Sequence, residues 1–159
     1  MNRIVLLTGS NIGDCQSNLK KANELIEEKI GKITALSSIY MTAAWGNTEQ
    51  DDFLNQVLVV DSALSPMNAL DQILAIERHM GRVRTIKNAP RLIDIDILFF
   101  NQDVIQEKEL EIPHPLIGER RFVLEPLNEL MAEEIHPVSG KKIKHMLIEC
   151  SDPLVVRKK

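Results

Sequence analysis

Cysteine and aromatic residues are scarce in this chain, which has two cysteines, one tryptophan and one tyrosine among 159 residues. Cys15 and Cys150 stand far apart without a C-x-x-C pair, which argues against a structural zinc site or a redox motif. We therefore expect two reduced thiols in a cytoplasmic protein. No segment approaches the roughly 20 apolar residues of a membrane-spanning helix, and the apolar start is too short for a secretory signal.

Positive charge is not in excess either, because 19 Lys and Arg against 23 Asp and Glu give a net charge of -4. This balance argues against a protein whose entire surface binds nucleic acid or anionic lipid. The sequence also lacks internal repeats, low-complexity segments and linkers rich in glycine, serine or proline. With 44% apolar residues, we expect one domain over residues 1–159 and a monomer.

Hydrophobic periodicity predicts the order strand, helix, strand, strand, helix, strand. The predicted strands cover residues 4–7, 33–42, 54–61 and 93–100. Asp14 and Ser65 are placed as N-caps of two helices that end before Gly31 and Gly81. This order is typical of a ferredoxin-like antiparallel sheet with helices packed on it in a layered sandwich, an α+β fold. Residues 125–159 are expected to add two short helices.

Two acidic residues interrupt the apolar strand at 93–100, at Asp94 and Asp96. Because strand side chains alternate between faces, both carboxylates are predicted to share one face and to lie close enough to bind hard cations. An isolated D-x-D is more often a strand face turned to water. Here the acids stand in an otherwise apolar run, which favours the lining of a cavity.

A cationic segment directly precedes the aspartates and carries Arg82, Arg84, Lys87 and Arg91. A cluster of this kind beside two carboxylates is typical of a site for metal-bound polyphosphate. Alone, it would more often be a solvated surface. The glycine-rich turn at residues 9–13 is not a Walker P-loop, because no Lys-Ser or Lys-Thr follows it.

His114 lies between two prolines on a stiff segment and, with Arg120 and Arg121 nearby, could reach a phosphate. Surface histidines are common, so this inference competes with a plain loop residue. Phe53 and Phe122 are expected to be buried packing residues, although aromatic rings can also clamp a flat heterocycle.

Taken together, these motifs resemble those of the 6-hydroxymethyl-7,8-dihydropterin pyrophosphokinase family. The resemblance covers nearly the whole chain up to about Leu130. The combined G-R-x-R and P-R-x-x-D-x-D-I pattern is highly specific, unlike any of its pieces. The matching positions are residues 9–11, 53–55, 77, 81–84, 90–97, 113–114 and 120–122.

The resemblance implies that pyrophosphate moves from ATP to a hydroxymethyl-dihydropterin, giving AMP and the pterin diphosphate in folate biosynthesis. It implies two Mg²⁺ ions held by Asp94 and Asp96, and Arg82 and Arg91 as further catalytic residues. The implied ATP contacts are Arg84, the backbone of Ile97, His114 and Arg120. The implied pterin contacts are Phe53 and Phe122 on the two ring faces, Asn55 and the Thr42 backbone. Glu77 matches a polar position near the site.

The chain departs from some relatives at several positions. These relatives have proline at Ala43 and Ala44, tyrosine at Phe53, glutamine at Leu74, and a tryptophan within residues 87–89. The resemblance implies that residues 46–52 and 83–90 close over the substrates. Phe53 keeps the stacking face of a tyrosine, so pterin binding is expected to survive that change.

Two other functions fit the predicted fold. A ferredoxin-like sheet also supports RNA recognition, but the sequence has no RNP-like aromatic string, and the two aspartates would repel a nucleic-acid backbone. A small-molecule-sensing regulatory domain is the third possibility, and it would leave the paired aspartates without a role.

Overall fold

The computed structural model describes residues 1–42, 52–81 and 92–159. Its strands are β1 (Asn2–Ser10), β2 (Lys32–Leu36), β3 (Tyr40–Thr42), β4 (Phe53–Ser62), β5 (Asp94–Phe100), β6 (Ile105–Gln106), β7 (Glu111–Ile112) and β8 (Val156–Lys158). Its helices are α1 (Cys15–Lys29), α2 (Pro66–His79), α3 (Arg121–Met131) and α4 (Ile143–Glu149), and a short 3₁₀ turn covers Ile117–Glu119.

The main sheet is antiparallel at every described pair and has the order β5-β1-β4-β3-β8, with β2 pairing along the other half of β4. The chain is therefore an α+β protein. Three of the four predicted strands are present as single strands, and the central ones, β1 and β4, are longer than predicted. Within the described ranges, every helix is too short or too polar to cross a bilayer.

Both predicted helix starts are confirmed. The Asp14 side chain accepts a hydrogen bond from Ser17 N at the start of α1, and the Ser65 side chain accepts one from Asn68 N at the start of α2. Each cap satisfies a backbone N–H that has no partner within its own helix. Pro66 occupies the first turn of α2, where its missing N–H costs nothing.

The two faces of the sheet bury separate apolar clusters. Ile4 and Leu6 of β1 pack with α1 and α2, whereas Val5 and Leu7 pack with α3 and α4. This division follows from the two-residue period of a strand, since successive side chains point to opposite faces. Helices therefore cover the sheet on both faces.

The predicted strand at 33–42 is wrong in one respect, because the structure divides it into β2 and β3. At the break, Ser37 Oγ accepts a hydrogen bond from Val57 N at 2.9 Å, and Ser37 N donates to Val57 O at 2.9 Å. The serine side chain thus takes a place that a backbone carbonyl would hold in a regular ladder. The tail also differs: α3 begins at Arg121, and the chain adds the unpredicted strand β8.

Candidate active site

Asp94 and Asp96 lie on one face of β5, as predicted. Both are half-buried, whereas Ile95 and Ile97 between and after them are 2% and 6% exposed. Across the sheet Asp94 pairs with Gly9 and Asp96 with Leu7. Residues directly opposite on neighbouring strands share a face, so the carboxylates lie on the side of the sheet that carries α3 and α4.

Glu77 binds the backbone of Ile95, the residue between the two aspartates. This residue of α2 is 2% exposed, and its Oε2 accepts a hydrogen bond from Ile95 N at 2.8 Å. Among the described strands β5 pairs only with β1. The Glu77 carboxylate therefore accepts its hydrogen bond from the edge of β5 that faces away from β1. Glu77 therefore positions the residue that separates the two aspartates.

His114 is fastened beside the same strand. Its backbone N donates to Leu98 O at 3.0 Å, and its Nδ1 accepts a hydrogen bond from Leu116 N at 3.1 Å. Because Nδ1 is an acceptor, the proton of the neutral ring is on Nε2. Burial lowers the pKa of His114, the positive charge of Arg120 lowers it further, and Asp94 opposes the shift. The structure therefore brings His114, Arg120 and Asp94 within electrostatic reach of one another.

Arg120 and Phe122 stand together at the start of α3. The Arg120 guanidinium carbon lies 5.6 Å from the centroid of the Phe122 ring, within cation–π range. Arg121, between them, points elsewhere: its Nε donates to Asp152 O at 3.2 Å and its Nη2 to Cys150 O at 2.9 Å. The Arg121 guanidinium therefore binds backbone carbonyls of the C-terminal segment, away from the predicted phosphate site.

Asn55 is buried next to Gly9 in the middle of the sheet. The two residues are cross-strand partners, and a Cβ on Gly9 would lie 2.6 Å from Asn55 Nδ2. Glycine at position 9 therefore gives the amide the space it occupies. Asn55 Nδ2 donates to Thr8 O at 3.3 Å, while Oδ1 is buried and has no hydrogen-bond partner among the described residues. A buried carbonyl oxygen in this state is available to a ligand donor.

Phe53 and Thr42 continue the same surface. They are cross-strand partners on β4 and β3, and Phe53 is two residues from Asn55, on the same face of β4. Phe122 packs against the apolar cluster that lies on this face. The fold thus brings Thr42, Phe53, Asn55 and Phe122 to the face that carries the two aspartates.

Several predicted features fall outside the described residues. They include Arg82, Arg84 and Arg91, the departures at Ala43, Ala44 and residues 87–89, and most of the two segments implied to close over the substrates. Ile97 is described, and its side chain packs in the core with α1 and α2. The implied contact of its backbone with adenine stays a prediction.

The sequence does not predict the contacts of Gly9 and Glu77. Its pattern predicts a turn at Gly9, whereas the structure places this residue in β1, and its contact with Asn55 has no local signal because 46 positions separate the two. Glu77 did have one: it stands four residues after Ile73, on the apolar stripe that faces the core. A carboxylate on such a stripe indicates a buried partner.

Comparison with known proteins identifies the family of the chain. A family model described as 7,8-dihydro-6-hydroxymethylpterin-pyrophosphokinase (HPPK) matches residues 5–132. The 2-amino-4-hydroxy-6-hydroxymethyldihydropteridine pyrophosphokinase of Aquifex aeolicus is 40% identical over 144 residues, which cover 91% of this chain and 89% of that protein. The folic acid synthesis protein FOL1 of Dictyostelium discoideum is 41% identical over 136 residues, covering 86% of this chain but 20% of that protein.

A solved structure supports the fold. The wild-type HPPK-DHPS of Plasmodium falciparum, crystallised with SDX-DHP, superposes with a TM-score of 0.77 at 21% sequence identity. The match covers 94% of this chain and 43% of that one, so this chain spans less than half of that longer protein. From the family match and the curated relatives, the chain belongs to the 7,8-dihydro-6-hydroxymethylpterin-pyrophosphokinase family and transfers pyrophosphate to hydroxymethyl-dihydropterin in folate biosynthesis.

Proposed function

We propose that ATP is the pyrophosphate donor and that the reaction takes place over the face of β5 that carries Asp94 and Asp96. The pterin hydroxyl oxygen attacks the β-phosphorus, and the bond from that phosphorus to the oxygen bridging to the α-phosphate breaks. AMP leaves, and the hydroxyl proton is released. The observation that carries this proposal is the pair of half-buried aspartates with His114 and Arg120 in electrostatic reach.

The donor set suits magnesium. Asp94 and Asp96 offer carboxylate oxygens on one face, and the described residues contain no group of three or more acidic, histidine or cysteine side chains around a common point. Magnesium uses few protein carboxylates and completes its octahedron with water and phosphate oxygens. We infer that the two aspartates hold two Mg²⁺ ions, which would neutralise charge on the triphosphate when bound.

Phosphate recognition is assigned to cationic and neutral donors around the aspartates. His114 is kept neutral by burial and by Arg120, so its Nε2–H can donate to a phosphate oxygen. Arg120 supplies positive charge at the same place. In the proposal Arg84 adds a further nucleotide contact, and the Ile97 backbone faces adenine. Arg82 and Arg91 meet the transferring phosphates, where cationic donors are most effective.

The pterin lies between Phe53 and Phe122 in this proposal, with its polar edge at Asn55 and the Thr42 backbone. The unpaired buried Oδ1 of Asn55 supports this placement, because a pterin ring carries N–H donors that could satisfy it. Without such a ligand, the buried acceptor costs free energy. The two phenylalanines provide flat apolar faces for the ring.

The proposal also covers the architecture and the cellular setting. The strand order, with helices on both faces, favours a ferredoxin-like core in a layered sandwich, made of one domain. The free thiols of Cys15 and Cys150 are compatible with a reducing compartment such as the cytoplasm. We propose a monomer, which sedimentation of the purified protein would test.

An assay for AMP tests the proposed reaction. Purified protein is incubated with ATP and magnesium, with 6-hydroxymethyl-7,8-dihydropterin supplied or withheld, and a 6-methyl analogue serves as the control because it lacks the attacking hydroxyl. We expect AMP only with the hydroxymethyl pterin, and none after chelation of magnesium. Equal AMP formation with the methyl analogue would show ATP hydrolysis instead of transfer.

A further inference from the structure

The last ten residues of the chain, 150–159, lie beyond the part that matches the family model, which ends at residue 132. We propose that this C-terminal segment is a positioning element for the pterin, which holds the two walls of the pterin site at their working separation. One wall is the start of α3 with Phe122, and the other is β3 and β4 with Thr42 and Phe53. The inference rests on the proposed pterin site.

The segment fastens the first wall through Asp152. This residue is 6% exposed, and its Oδ2 accepts a hydrogen bond from Arg121 N at 3.0 Å while its Oδ1 accepts one from Leu154 N at 3.0 Å. Arg121 is the first residue of α3, and the preceding Arg120 provides no side-chain cap. Asp152 therefore caps this helix from 31 positions away in the sequence.

The Arg121 side chain strengthens the same attachment. Its guanidinium donates to the backbone carbonyls of Cys150 and Asp152. Both neighbours of Arg121, namely Arg120 and Phe122, are proposed to contact substrates. Because Arg120, Arg121 and Phe122 are consecutive along one backbone at the start of α3, the anchor at Arg121 sets the position of the residues on either side.

The segment fastens the second wall through β8. This strand pairs with β3, so that Thr42 is opposite Val156, and Thr42 Oγ1 donates to Val155 O at 3.2 Å. Lys159 N also donates to Ile39 O at 2.8 Å. Thr42 in turn pairs with Phe53. A single short stretch of chain thus contacts both sides of the proposed site.

A third set of contacts closes the arrangement. Tyr40 OH of β3 donates to Glu129 Oε1 of α3 at 2.7 Å, and Lys158 Nζ of β8 lies 3.8 Å from the same oxygen. Strand β3, strand β8 and helix α3 are therefore joined directly.

A ring held between two aromatic faces needs a gap of about 7 Å, because each contact distance is about 3.5 Å. A gap wider by about 0.5 to 1 Å loses roughly a quarter to a half of the contact energy on that face of the ring.

Three variants test the inference. Asp152→Asn loses one carboxylate oxygen and sets an amide N–H against a backbone N–H. A chain that ends at Pro153 lacks β8. Thr42→Val removes the bond to Val155 with little change in volume and serves if the other two fail to fold. The matched control is Lys144→Gln, which also lies beyond the family match and whose side chain, among the described residues, pairs on the surface with Glu133.

The measurements separate positioning from general stability. We record KM for the pterin, KM for ATP, kcat, thermal stability, and equilibrium pterin affinity with a nonhydrolysable ATP analogue present. For Asp152→Asn and the shortened chain we expect pterin KM and Kd to rise about tenfold, because a displaced wall loses contact with the ring. ATP KM should rise less, since Arg120 beside the anchor is one of several proposed ATP contacts, and kcat should stay within about twofold of wild type. Thr42→Val should show a smaller rise in the same direction, and Lys144→Gln none.

Several results would overturn the inference. Unchanged pterin affinity in folded variants would do so, as would equal changes in the KM of both substrates, or a loss of thermal stability alone. If wild type binds the pterin but forms no AMP, the proposal that ATP donates the pyrophosphate is wrong. The pterin affinities of the variants and wild type still decide the role of the segment. If wild type binds no pterin, the pterin site and this inference both fail.

Discussion

Asp94 and Asp96 occupy different surroundings, although the alternating sequence makes them look equivalent. Asp94 is opposite Gly9, which has no side chain, and it influences the pKa of His114. Asp96 is opposite Leu7, which belongs to the apolar cluster under α3. The described neighbours of the two carboxylates therefore differ, with Gly9 and His114 at Asp94 and the apolar Leu7 at Asp96.

Replacement of Asp96 tests the proposed metal site at the residue scale. Asp96→Ala should lower turnover by about a thousandfold or more, because charge stabilisation of the transferring phosphate is lost. Circular dichroism and the unfolding midpoint should stay near those of wild type, since the side chain is half-exposed. Asp103→Ala, an exposed aspartate just beyond the same strand, is the control. Normal turnover in a folded Asp96→Ala protein would remove the metal assignment.

The contact between Gly9 and Asn55 predicts a specific effect on the pterin. In Gly9→Ala the new Cβ would lie 2.6 Å from Asn55 Nδ2, so the Asn55 side chain must move. We expect pterin KM to rise about tenfold while ATP KM changes little, since a displaced amide no longer meets the ring edge. Steady-state kinetics with each substrate varied in turn would measure this split, and equal changes in both values would contradict it.

At the scale of elements, Gly31 brings the junction of α1 and β2 against the backbone of β4. A Cβ on Gly31 would collide with the Asp61 carbonyl oxygen and lie 3.0 Å from Ser62 Cα. Ser62 Oγ also donates to Ile30 O at 2.6 Å, which holds the end of the helix against the strand. Both neighbours are backbone, and β4 cannot retreat without losing its pairs with β1 and β2.

Gly31→Ala should therefore destabilise the protein by about 3 kcal/mol, the upper part of the usual range for overpacking. Urea unfolding followed by circular dichroism measures the difference. Gly118→Ala is the matched control, because its Cβ would lie 3.4 Å from Met146 Cε, the end of a flexible side chain. Equal stability of the two variants would show that the junction can relax.

Helix starts were predictable at this scale because a cap acts on backbone groups three residues away. Asp14 and Ser65 are clear instances. The division of the strand at Ser37 was not predictable, because the serine hydroxyl accepts its hydrogen bond from Val57 N, 20 positions away in the sequence. Strand β8 was not predicted for a related reason. Its three residues pair with β3, which lies far away in the sequence.

For the whole molecule, the two partly buried histidines predict acid sensitivity. Burial lowers the pKa of both His114 and His136. The unfolded chain then takes up protons at a higher pH than the folded one, so the free energy of unfolding decreases as the pH falls below about 6.5. The decrease continues until the folded-state pKa values are passed. Above that range these histidines contribute no pH dependence.

Urea unfolding between about pH 7.5 and pH 5.5 would measure this decrease, in a window above the titration of ordinary carboxylates. His136→Asn should reduce the slope, because asparagine can still accept the hydrogen bonds that His136 Nδ1 receives from Val138 N and Ser139 N, yet does not titrate. A slope identical to wild type would show that His136 does not contribute.

Family membership also decides among the three functions that the sequence allowed. An RNA-binding module and a regulatory sensor were compatible with the strand order alone, because one fold carries many functions. The match over residues 5–132 and the named relatives identify a pyrophosphokinase.

The alternation of Asp94 and Asp96, the helix caps and the succession of strands and helices along the chain were readable from the amino-acid order, because each depends on neighbours a few positions apart. Other features required the folded chain. They include the space that Gly9 leaves for Asn55, the hold of Glu77 on Ile95, and the attachment of Asp152 to α3. These join residues from 18 to 46 positions apart, and no short-range pattern records which distant backbone group a buried side chain will meet.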